Sequence, residues 1–137
     1  MSFNADSTRF LRRALLADCV VSAASGLLLL AAPAAIASLI GAPSAGLVAA
    51  VGAALVMWGL WLWRNSRREA LRRSEAVATV ALNLAWVVAS GVVIAGGGLT
   101  REGNWIVAFV ADAVLAFAVM EVIGLRKIGP RMAREAA

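Results

Sequence analysis

The chain has no histidine and no tyrosine, one cysteine and three prolines in 137 residues. Without histidine, the side chain most often used as a general base near neutral pH, or as a nitrogen ligand to zinc or haem, is missing. A single cysteine excludes an intrachain disulfide, a redox pair and a thiolate metal cluster. Cys19, set in an apolar run, therefore reads as a small buried hydrophobe. Charge is scarce as well: 15% of residues are charged against 62% hydrophobic, and the mean hydropathy of +0.85 lies beyond ordinary soluble domains. The acids do not fall at metal-ligand spacing, and Gly96-Gly97-Gly98 lacks the spacing and lysine of a phosphate loop. These absences argue against an enzyme, a metal centre or a bound cofactor.

Long apolar runs are present instead. Spans of roughly 9–31, 44–63, 76–95 and 104–125 each approach the ~20 residues a helix needs to cross a bilayer, and they leave no room for a water-soluble unit. The expected fold is an all-α integral membrane protein, one domain over 1–137, built as two helical hairpins. Between the hairpins, Trp63 to Glu75 carries Arg64, Arg67, Arg68, Arg72 and Arg73. Moving one arginine to the bilayer centre costs about 2.5–3.5 kcal/mol, so this linker stays on the side of synthesis. Arg9, Arg12, Arg13, Arg126, Lys127, Arg131 and Arg134 belong to the same side, leaving only Arg101 of thirteen basic residues for the other. Both termini are thus expected in the cytoplasm, the setting being a bacterial inner membrane. Because the cations flank apolar spans, the net charge of +5 points to lipid rather than to nucleic acid.

Along the chain, residues 1–8 are polar and expected to fray. Asp18 interrupts what would otherwise imitate a signal-peptide core, and it spoils the lipobox-like Leu16-Ala17-Asp18-Cys19, so the first span is read as retained. Pro33 opens and Gly41-Pro43 closes a short helix on the outer connection, and Ser44 caps the second span. On that span Ala45, Ala49, Gly52, Val56 and Gly59 form one narrow stripe of mostly small residues, a seam for close helix approach in lipid. Trp58, Trp61, Trp63 and Trp105 sit near span ends, where indoles favour the headgroup zone; an aromatic cage is the competing reading for the first three. Trp86 lies inside a span, lipid-facing or packed. Gly96-Gly97-Gly98 breaks the third span, Thr100 or Asn104 caps the fourth, and Gly129-Pro130 is expected to end it.

Ionisable groups inside a membrane are costly and by default point to function. Asp18, Ser22 and Ser25 share a face of the first helix, as Thr79 and Asn83 do on the third. At about 1.5 Å per residue, Asp18 lies roughly 8 Å inside the arginine boundary and Asn83 some 12 Å from Glu75, within reach of each other. An offset of 65 residues aligns Ala24-Ser25-Gly26 with Ala89-Ser90-Gly91 and Asp18 with Asn83, a weak tandem repeat that would set those two face to face. On the fourth helix Asp112 and Glu121 are about 900° apart and point to opposite sides. Asp112, about 21 Å from Arg126, is expected to face the bundle or an oligomer interface and to bind a proton or cation. Glu121, about 8 Å from Arg126, is expected to snorkel toward the cations. A dyad of Asp18 and Asp112 is excluded by a depth difference of roughly 13 Å.

Four short helices with an embedded acid in the first resemble the small multidrug resistance transporters. The likeness rests on Asp18 alone: that family carries a glutamate there, and its dual-topology members lack so heavy a charge bias, so the chain is not placed among them. Two functions remain. One is a small transport or ligand-binding protein, a homo-oligomer using Asp112, Asp18, Asn83, Ser22 and Ser25. The other is a non-catalytic subunit docking on a larger membrane-protein partner through its glycine and alanine seam.

Overall fold

A computed structural model describes residues 2–67 and 73–135, with side chains over 9–67 and 73–127. Arg68 and Arg72 of the linker, and the side chains of Arg131 and Arg134, lie outside the described residues. The elements are α1 (Ser2–Ala31), α2 (Pro33–Ile40), α3 (Ala45–Ser66), α4 (Arg73–Ala95) and α5 (Arg101–Glu135). All except α2 are long and apolar enough to cross a membrane, over Arg9–Ala31, Ala45–Ser66, Arg73–Ala95 and Arg101–Lys127. This is the expected four-helix, all-α membrane architecture. The inner ends of α3 and α4 and the start of α5 each extend about three residues beyond expectation, and the two helix termini of the chain depart further. Residues 2–8 are helical rather than frayed, since neither glycine nor proline interrupts them, and α5 runs through Gly129 and Pro130. A proline removes one backbone donor, which need not end a helix whose neighbouring bonds persist.

The caps follow the local chemistry. Pro33 occupies the first turn of α2, where its missing N–H has no partner to lose, and Gly41 closes that helix in the left-handed region at φ 78°. Ser44 Oγ accepts from Leu47 N at 3.1 Å and caps α3. Thr100 Oγ1 accepts from Gly103 N at 2.9 Å, capping α5, and donates to Leu39 O at 2.6 Å. With Thr100 N donating to Ile40 O at 3.0 Å, this one residue ties the α4–α5 turn to the end of α2.

The two hairpins pack internally, α1 on α3 and α4 on α5, and join through α1 against α5, while α2 covers parts of α3 and α5. The α1–α3 contact is close because glycine allows it. A Cβ on Gly52 would sit 2.9 Å from Gly26 O, and one on Gly59 would sit 3.0 Å from Ala23 Cβ. The seam from Ala45 through Ala49, Gly52 and Gly59 is therefore a contact within the fold, with Gly52 and Gly59 buried and Ala45 and Ala49 half-buried. Gly52 and Gly59 thus spend their small size on packing α3 against α1.

The surface is largely apolar, and the interior holds an unusual share of polar side chains. Val20, Leu28, Met57, Val88 and Phe109 are exposed, whereas Asp18, Ser22, Asn65, Thr79, Asn83, Ser90 and Glu121 are buried. Apolar side chains have nothing to gain from burial when the surroundings are hydrocarbon, but polar ones do. Toward the arginine-bearing end a small core of Leu11, Leu15, Cys19, Leu62 and Ala76 closes the structure, with Trp58, Trp61 and Leu125 packed against it.

Candidate functional site

Asp18 sits one turn below Ser22 on α1, so the hydroxyl hangs over the carboxyl and Ser22 Oγ donates to Asp18 Oδ1 at 2.9 Å. From α4, Asn83 Nδ2 donates to Asp18 Oδ2 at 3.0 Å and to Glu121 Oε2 of α5 at 3.3 Å. A primary amide carries two N–H bonds, so one nitrogen serves both carboxyls. The cluster is sealed: Asp18 is 1% exposed, Asn83 4% and Glu121 0%. Glu121 Oε1 is also buried and has no hydrogen-bond partner among the described residues.

Three helices supply this site, and the residue pattern of each explains why. On α5, Ala111, Ala118, Glu121 and Gly124 are buried at helical spacing, and their small neighbours let the carboxyl approach α1 and α4. A Cβ on Gly124 would already lie 3.1 Å from Leu11. Asn83 reaches Asp18 although α1 and α4 are not among the closely packed helix pairs. Polar side chains bridge that gap rather than backbone packing. Thr79, one turn from Asn83, is 1% exposed but donates to the backbone Glu75 O at 2.9 Å, so it lines the site without joining it.

The expected Asp18–Asn83 pairing is present as a direct bond, and Ser22 is part of it. Ser25 is half-buried and makes no hydrogen bond to the cluster among the described residues. Asp112 requires a correction of its bundle-facing alternative alone: it is exposed on the outer side of α5, the side left for an oligomer interface. Glu121 requires the opposite one, because it is fully buried and bonded to Asn83 instead of reaching the cations. The two acids do point to opposite sides, as their spacing requires, but the inward one is Glu121. A signal for this lay in the depths: Asp18 and Glu121 are each roughly 8 Å from their flanking arginines, so a helix pair brings them level.

The tryptophans divide. Trp58 and Trp61 stack on each other with centroids 4.9 Å apart and planes at 17°, so each covers one face of the other. Both are half-buried against the core, whereas Trp63 and Trp105 are 46% and 71% exposed. Arg67 lies over the Trp63 ring, 5.0 Å from its centroid. Trp86 is half-buried with its Nε1 enclosed and unpartnered, so it packs rather than facing lipid freely.

The halves are not equivalent at the offset of 65. Gly26 is buried against Gly52, while a Cβ on Gly91 would meet nothing within 4 Å.

Chemically, the site offers two carboxyls, an amide that only donates to them and a hydroxyl. Such oxygen donors suit a proton or a hard cation rather than a soft metal. Among the described residues no group of three or more His, Cys, Asp or Glu could hold a metal ion. No family model matches the chain, and no curated protein or solved structure matches it either.

Proposed function

We propose that this is a small multi-pass protein of a bacterial inner membrane, with both termini cytoplasmic, that takes up and releases a proton or small cation at Asp18, Asn83 and Glu121. The observation that carries this reading is Glu121 Oε1, a fully buried carboxyl oxygen with no partner, beside a second buried carboxyl held by the same amide. Leaving one buried polar group unsatisfied costs about 1–3 kcal/mol, more if it is charged. Two buried carboxyls share one amide nitrogen, and a proton or cation taken up there relieves the cost of holding both of them charged away from water.

Uptake there has a mechanical consequence. α4 packs on α5, and its link to α1 runs through the Asn83–Asp18 bond. An amide binds a carboxylate more strongly than a neutral carboxyl, so each protonation or ion-binding event alters the tie between α1 and α4. That is the differential interaction a transport cycle needs to couple occupancy to helix movement. The rival reading, an accessory subunit docked through a small-residue seam, is less favoured because Gly52 and Gly59 of that seam pack against α1.

Infrared spectroscopy of the protein in lipid vesicles, stepped through pH, tests the proposal. The expected result is a protonated-carboxyl band that rises and falls reversibly and is lost in the Asp18→Asn, Glu121→Gln double variant. An identical carboxyl response in that folded variant and the parent protein would remove the cluster as the proton site.

A further inference from the structure

We infer that the outer face of α5 is a self-association seam on which two copies of this chain pair in parallel, with Asp112 meeting Asp112 at the twofold axis. Trp105, Phe109, Asp112, Ala116, Val119 and Ile123 follow one another at alternating steps of four and three, and every one is exposed. That 3.5-residue period is the seam of a left-handed helix pair, the usual crossing in membranes. The buried face with Ala111, Ala118 and Glu121 lies opposite, so α5 has two working sides.

An exposed apolar stripe on a membrane helix needs no protein partner, but Asp112 does. It stands about 16 Å along the helix from Arg101 and about 21 Å from Arg126, too deep to reach either boundary, and it makes no hydrogen bond or ion pair among the described residues. A carboxyl held against hydrocarbon costs about 2.5–3.5 kcal/mol, so something polar must cover it. A second copy fits, given one proton held between the two carboxyls. A twofold axis along the membrane normal brings a residue to its own equivalent at the same depth. A carboxylic acid is both donor and acceptor, so two of them satisfy each other. Asp112 and the small Ala116 straddle the middle of the stripe, where two crossing helices come closest. Beside its lower end lies an open, mostly apolar groove of about 240 Å³ between α4 and α5, lined by Val80, Leu84, Val119, Val122, Ile123 and Arg126, which offers room for the partner's side chains.

This inference does not depend on the Asp18–Glu121 cluster. Its test uses the full chain in excess lipid, with Cys19→Ser removing the native thiol. Under oxidation, Ala116→Cys is expected to give a covalent dimer and Met57→Cys, on the exposed middle of α3, a monomer. Energy transfer between labelled chains should then give a dimer about tenfold weaker for Asp112→Leu and little changed for Asp112→Asn, which keeps both donor and acceptor. Three results would overturn the inference: a folded Ala116→Cys protein that stays monomeric, crosslinking as strong at Met57→Cys, or equal affinities for Asp112→Leu and the parent.

Discussion

Asn83 on α4 donates a 3.0 Å hydrogen bond to Asp18 on α1 across 65 residues of sequence, and the same nitrogen reaches Glu121 on α5 at 3.3 Å. One amide thus links three helices. Asn83→Leu leaves two buried carboxyls facing each other with their shared donor gone, and should lower stability by about 3 kcal/mol. Ser22→Ala removes a single bond and should cost about 1 kcal/mol. Thermal unfolding in mild detergent checks both, and an Asn83→Leu protein as stable as the parent would contradict the bridge.

The close approach of α1 and α3 predicts opposite outcomes for two formally matched glycines. A Cβ on Gly26 would lie 2.6 Å from Gly52 O and 2.9 Å from Val56, so Gly26→Ala should destabilise by about 1–3 kcal/mol. Gly91→Ala meets open space and should be neutral or gain up to about 1 kcal/mol from helix propensity. Equal melting shifts for the two would mean the seam is looser than its geometry.

At the far end, Thr100→Val deletes both the cap of α5 and the bond to Leu39, an expected loss of about 1–2 kcal/mol. Gly41→Ala should be at least as harmful, because φ is 78° and the added Cβ would lie 2.8 Å from Thr100 N. Hydrogen exchange at residues 39–42 and 99–103 should quicken in either variant while α3 stays protected. Unchanged exchange there would show that Thr100 does not fasten the two connections.

Orientation is tested by reporter fusions. A phosphatase joined after Ala137 should be inactive and one placed at Gly97 active. The reverse pattern would invert the arrangement drawn from Arg9, Arg64 and Lys127.

Much of the fold was legible in the residues because lipid imposes simple rules. Apolar length sets the spans, and Pro33, Gly41 and Ser44 act as caps within a turn of themselves, as Thr100 does toward Gly103, so those caps need no tertiary information, whereas the bond from Thr100 to Leu39 does. The Asp18–Asn83 contact was legible too, since both residues sit at similar depths on faces that already gather polar groups.

What only the tertiary structure decided was which side of α5 faces inward. Asp112 and Glu121 lie on opposite sides of one helix, and depth alone favoured the deeper acid. The rotation of a helix, however, is set by what packs on it: Ala111, Ala118 and Gly124 let α5 settle against its neighbours, and Glu121 shares their face. The same settling turned Asp112 outward and consumed the Gly52–Gly59 stripe inside the α1–α3 pair. Sequence periodicity determined which residues travel together on a face, and helix packing determined where that face points.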